Sequence, residues 1–238
     1  MNVYRLLKLM SDRSLHNKRI AKNTLFLYLR MGLVLMVSLF STRVVLQALD
    51  IEDYGINNVV SGFVTMFAFL NTSMSNAVQR FYNFSLGRKN GYSIKDVYNT
   101  ALQIQGILVV TLLVPLETFG MWYIHTQMVI PIDRFAAAQW VFQFSVLSLV
   151  LLVLQIPYSA AIMAYEKMDY YAYLSIFDVL AKLGIAYVIK YTTFDKLILY
   201  GAFNMLVSLI CFFLYYGYAK CHFQDLKSDF IIRKQLFK

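Results

Sequence analysis

Charge is what this sequence has least of. Charged side chains make up 15% of its 238 residues and hydrophobic ones 59%, whereas a soluble domain carries about 25% charged residues to cover its surface. An ordinary globular protein is excluded. Cysteine occurs only as Cys211 and Cys221, which rules out a disulfide framework or a thiolate metal centre and leaves two inert thiols. The three histidines, His16, His125 and His222, stand far apart at helix ends or in loops and read as solvated side chains. There is no glycine-rich phosphate loop, no HExxH and no GxSxG elbow, so neither enzyme chemistry nor a metal or cofactor is expected. A membrane enzyme acting on prenyl phosphates would also need a carboxylate cluster for magnesium, which the sequence does not supply.

What is abundant is long apolar sequence. With about 20 apolar residues needed per crossing, six spans are predicted, at 24–49, 54–86, 97–124, 135–164, 170–191 and 196–219. The first is too long for a cleaved signal and is expected to stay as a transmembrane helix. The net charge of +9 lies in short segments between apolar runs, which fits membrane topology and not nucleic acid. Arg5, Lys8, Arg13, Lys18, Arg19 and Lys22 precede the first span. Arg88, Lys89 and Lys95 follow the second, Lys167 follows the fourth, and Lys220, Lys227, Arg233, Lys234 and Lys238 close the chain. The opposite side has Asp50, Glu52, Asp53, Arg134, Lys190 and Lys196. By the positive-inside rule both termini are then cytoplasmic, which requires an even number of spans. The expected architecture is an all-α, polytopic membrane bundle of six transmembrane helices with both ends inside. A basic segment, 1–23, precedes the helical lobe at 24–219, and a basic amphipathic tail or linker, 220–238, follows it and is suited to anionic membrane lipids. Pro115 and Pro157 fall within spans and predict static bends.

The second span holds the best clue to function. Read as one helix over 54–86, it places Asn57, Asn58, Ser61, Thr65, Thr72, Ser75, Asn76, Gln79 and Asn83 within roughly a 100° arc. Such a row serves either as glue between helices or as the wall of a hydrated cavity, and its length favours the cavity. Gln103, Gln105, Gln139, Gln143 and Gln155 are further candidates for its lining. Ionisable groups inside spans are the second clue: Arg30, Arg43, Arg80, Glu117, Asp178 and Lys182. By depth the cations form a ladder across the membrane, although Arg43 and Arg80 lie close enough to the interfaces to snorkel. Asp178 and Lys182, spaced i, i+4, read as a neutralised pair or as a transport site. Glu117 is either solvated or able to carry an ion. Arg30 lies a turn or more inside its span, where a guanidinium needs a partner, and its bidentate geometry suits phosphate oxygens.

Three segments carry a family likeness: RIAKNTLFLYLR at 19–30, STRVVLQALDIEDYGINNVVSG at 41–62 and NTSMSNAVQRFYNFSLGRKN at 71–90. The first 95 or so residues resemble the opening of bacterial polysaccharide or O-antigen flippases of the Wzx type, in the superfamily that also holds multidrug exporters. Asp50 departs from the likeness, standing where the family usually has glycine. The resemblance implies a non-enzymatic transporter in the bacterial inner membrane. It would move a polyprenyl-diphosphate-linked oligosaccharide to the periplasmic leaflet by alternating access between two six-helix lobes. It also implies that Arg30, Arg43 and Arg80 are basic cavity residues, and coupling to H+, Na+ or the membrane potential. Relatives are roughly twice as long, so this chain is expected to be one lobe, completed by a second lobe in cis or by a homodimer partner. Two rival readings are a drug exporter of the same superfamily, which should prefer acidic cavity groups, and a non-transporting membrane scaffold.

Overall fold

The computed structural model describes the backbone of residues 3–87 and 93–223 and the side chains of residues 21, 24–67, 69–87 and 93–223. The tail expected beyond residue 223, and the basic side chains from Arg5 to Lys22 and at Arg88 and Lys89, lie outside the described residues. The helices run in the order α1 (Val3–Thr65), α2 (Ala68–Gly87), α3 (Ile94–Pro115), a π-helical turn (Leu116–Gly120), α4 (Met121–Thr126), α5 (Ile132–Ala164), α6 (Met168–Lys190) and α7 (Lys196–His222). Among the described residues there is no strand. Five helical stretches are long and apolar enough to cross a membrane: Thr24–Gly87, Ile94–Thr126, Ile132–Ala164, Met168–Lys190 and Lys196–His222.

The first stretch is not a single rod. Asp50 has φ 63° and ψ 169°, a region essentially reserved for glycine and strained by roughly 1–3 kcal/mol for other residues. Arg30 before it and Asn71 after it line one cavity, yet an unbroken helix would hold them roughly 60 Å apart. The chain therefore doubles back at Asp50, dividing α1 into a first arm and a shorter second arm.

The second arm also departs from the expected continuous helix over 54–86. It ends at Thr65, and Met66 and Phe67 form a turn before α2 begins. There the Phe67 N–H donates to Val64 O at 3.1 Å and the Leu70 N–H to Phe67 O at 3.2 Å, the tighter i→i−3 pattern. Neither glycine nor proline sits at the break. Pro115 acts differently: it has no N–H to give, and the helix widens directly after it into the π-helical turn. Pro157 lies within α5, which continues through it.

In lipid, burying a leucine gains little, so helix association depends on close packing between small residues. Large apolar side chains such as Leu29, Met36, Phe119, Trp140 and Phe213 are exposed on the bundle. α5 is its centre, with Ala137, Ala138, Val141, Phe142, Val146, Val153, Ile156 and Ala160 buried. Two glycines bring neighbours close to it. A Cβ on Gly201 would stand 3.2 Å from Phe144 and 3.3 Å from Val141, and one on Gly120 would overlap the Phe142 ring. One end is tied by Arg134, whose Nε lies 3.2 Å from Asp53 Oδ1 and whose Nη1 lies 3.0 Å from Asp195 Oδ2. Asp195 also caps α7 by accepting from the Leu197 and Ile198 N–H groups. This clamp joins the turn after Asp50, the start of α5 and the start of α7.

Candidate functional site

The half of the bundle remote from Arg134 encloses a cavity of about 540 Å³, within the roughly 300–1,000 Å³ of small-molecule sites. α6 supplies Tyr171, Ser175, Asp178 and Lys182, a spacing that puts all four on one helical face. From Tyr171 to Lys182 that face rises roughly 16 Å. Asn71, Thr72, Ser75 and Asn76 come from α2, Gln155 and Ser159 from α5, Ser208, Cys211 and Tyr215 from α7, and Arg30 from the first arm. The cavity is polar because polar positions on separate helices converge there.

Its charges are arranged unequally. Arg30 lies with its guanidinium carbon 4.6 Å from the centroid of the Tyr171 ring, within cation–π range. Its Nε is buried with no hydrogen bond among the described residues. A buried donor without an acceptor is costly, and a guanidinium has five N–H groups to satisfy. Lys182, by contrast, is committed: its Nζ donates to Asp178 Oδ2 at 2.9 Å. The other carboxylate oxygen, Oδ1, is 3.9 Å from Cys211 Sγ. Two cations and one anion leave a single formal positive charge. Arg30 is the one cation of the lining without a carboxylate partner among the described residues.

Of the cations expected to form a ladder, Arg30 and Lys182 share the cavity and Arg43 and Arg80 do not line it. Both of the latter are exposed. Depth places residues along a membrane axis but not around a helix, and at 100° per residue Arg43 points roughly 140° away from Arg30. The polar row divides in the same way. Thr72 and Asn76 are on the cavity; Asn58, Ser61, Thr65 and Gln79 are not. Ser61 and Thr65 instead donate to the Asn57 and Gly62 carbonyls of their own helix. The row required an unbroken helix, and the turn at Met66–Phe67 resets the register between its two halves.

The acidic candidates separate too. Asp178 is in the cavity, whereas Glu117 sits on the π-helical turn, where its Oε2 accepts from Gln143 Nε2 at 3.0 Å. Of the glutamines only Gln155 reaches the lining; Gln105 is fully buried, and neither of its amide atoms has a hydrogen-bond partner among the described residues. Tyr171, Ser175, Ser208, Cys211 and Tyr215 were missed. Tyr171 and Ser175 were findable, since they share the helical face of Asp178. Cys211 lies within α7 and not at its end, as part of the cavity wall. Among the described residues no three His, Cys, Asp or Glu side chains gather as metal ligands. No protein-family model, curated protein or solved structure matches the chain, and its function is read from this geometry.

Proposed function

We propose that the chain is one lobe of a membrane flippase that carries a polyprenyl-diphosphate-linked oligosaccharide across the bacterial inner membrane for surface polysaccharide synthesis. The observation that carries the proposal is the cavity of about 540 Å³ walled by Arg30, Lys182, Asn71, Asn76 and Gln155 inside an otherwise apolar bundle. Guanidinium suits diphosphate oxygens, amides and hydroxyls suit sugar hydroxyls, and the exposed apolar surface leaves the prenyl chain in lipid. In this reading the two arms of α1 cross the membrane separately, the second arm together with α2, giving six crossings with both ends cytoplasmic.

Arg43, Asn58 and Arg80 are exposed and lie off the cavity, and polar groups on spanning helices are not stable against acyl chains. They support a second lobe, in cis or from a second copy of the chain, facing these helices across a wet cleft. Arg43 and Arg80 then serve that cleft and not the cavity. Rocking of the lobes would open the substrate path to each side in turn.

The test is reconstitution of the 238-residue chain in liposomes containing the lipid-linked oligosaccharide. An external glycosidase should then digest nearly the whole pool with protein present and about half of it in protein-free vesicles. A protected half that persists with protein present would overturn transport by copies of this chain alone and favour a non-transporting scaffold or a second lobe supplied in cis.

A further inference from the structure

The seam between α3 and α5, behind the cavity, holds two polar groups that the present packing leaves unpaired. Gln105 of α3 is fully buried, and neither its Nε2 nor its Oε1 has a hydrogen-bond partner among the described residues. Both atoms are sealed from solvent, so no water-sized space adjoins them to supply one, and an unpaired amide in an apolar seam is costly. The second group belongs to α5. Pro157 stands inside that helix and has no N–H, so the Val153 carbonyl one turn earlier loses its helical donor. Val153 is buried and borders, with Leu112 and Leu116 of α3, an apolar void of about 10 Å³, which puts this turn of α5 against α3. The antiparallel register is fixed on either side, by the hydroxyls of Tyr98 and Tyr158 at 3.5 Å and by Glu117 with Gln143 at 3.0 Å. Between those pairs Gln105 falls beside the turn from Val153 to Pro157. An orphan donor and an orphan acceptor share one seam without being bonded to each other.

We propose that Pro157 is a hinge in α5 and Gln105 its latch: in a second conformation α5 bends further at Pro157, and Gln105 Nε2–H donates to the freed Val153 carbonyl. The missing hydrogen bond makes this turn the one where α5 bends most easily, and the void gives the side chains of the seam room to repack. The hinge acts on the cavity because the opposite face of the same turn is cavity wall. Gln155 and Ser159, two residues to either side of Pro157, both line it. Ser159 reports the motion: it is 8% exposed, and its Oγ is turned away to donate to Ile156 O at 3.1 Å. The two conformations differ by one hydrogen bond and a bend, whatever ligand the cavity takes, so the hinge stands independently of the flippase reading.

The test uses the full chain in lipid nanodiscs, carrying Ser159→Cys with Cys211→Ser and Cys221→Ser, and a thiol reagent slow enough that labelling follows the population of the bent conformation. Gln105→Leu removes the orphan amide and keeps its bulk. It should slow labelling at position 159 about tenfold and raise the unfolding temperature in detergent by roughly 2–8 °C. Pro157→Ala returns an N–H to the Val153 carbonyl and should slow labelling by a similar factor. Because both substitutions act on one hydrogen bond, the double variant should label no more slowly than either single one. An unfolding temperature for Gln105→Leu at or below that of the unsubstituted Gln105 chain would overturn the orphan amide. Labelling that is unchanged or faster in Gln105→Leu, or slowed in the double variant by the product of the two single effects, would overturn the latch.

Discussion

Arg30→Ala should weaken binding of a diphosphate diester about 100-fold and bring lipid-linked oligosaccharide movement close to the protein-free rate. A hydrogen bond to a charged group contributes about 1.5–3 kcal/mol, and a guanidinium can make two in parallel to a diphosphate; with about 1.4 kcal/mol per tenfold, roughly 3 kcal/mol is a hundredfold. Arg30→Lys keeps the charge but loses the planar fork and most of the stack on Tyr171, so it should recover only about tenfold of that loss. Tyr171→Leu removes the platform without touching the charge and should cost about 1 kcal/mol, or roughly fivefold. Titration of the nanodisc-embedded variants with the diester measures all three. An unchanged affinity in Arg30→Ala would remove Arg30 from the site.

Gly120→Ala should destabilise the bundle by about 1–3 kcal/mol, the usual cost of overpacking a close-packed core. Gly120 ends the π-helical turn, is itself buried, and abuts α5 so closely that a methyl group would overlap the Phe142 ring and stand 3.3 Å from Phe63 Cε1. Phe142 has little freedom to yield, being only 1% exposed. Shortening that ring should relieve the clash: Gly120→Ala combined with Phe142→Leu should be more stable than the two separate losses added together, a coupling expected of residues in contact. Gly184→Ala in α6 is the control, since a Cβ there meets nothing within 4 Å and alanine is the better helix former. Thermal unfolding in detergent measures these differences. Equal stability of Gly120→Ala and Gly184→Ala would contradict the close approach at the π-helical turn.

Length and hydropathy were enough to locate most of the fold. The apolar stretches 97–124, 135–164, 170–191 and 196–219 fall within a few residues of helical stretches at Ile94–Thr126, Ile132–Ala164, Met168–Lys190 and Lys196–His222, because a crossing sets a minimum apolar length. The acidic group Asp50, Glu52 and Asp53 marked the reversal, since carboxylates in sequence are unstable in lipid. The site was legible only where helical registry held. Asp178, Lys182, Tyr171 and Ser175 follow from spacing on the unbroken helix α6. The polar row failed at Met66–Phe67, where no residue type announces a break and packing sets the hydrogen-bond pattern. The cations divide between cavity and exposed faces for another reason, since depth along the membrane does not fix the face of the helix on which a side chain stands. Which helices surround Arg30 is a tertiary fact that no local pattern encodes.

The transport reading requires a polar, water-filled cavity inside an apolar membrane bundle. Cysteine accessibility tests it most directly, in a background with Cys211→Ser and Cys221→Ser. Single cysteines replacing Thr72, Asn76 and Ser208 should react with a membrane-impermeant thiol reagent in sealed vesicles, and the diphosphate diester should slow their reaction. A cysteine replacing Leu180, exposed at the middle of α6 on the face away from the cavity, should not react, because a thiol in lipid neither ionises nor meets the reagent. Failure of all three cavity positions to react, or reaction no faster than at Leu180, would contradict a hydrated cavity and leave the polar side chains as packing between helices.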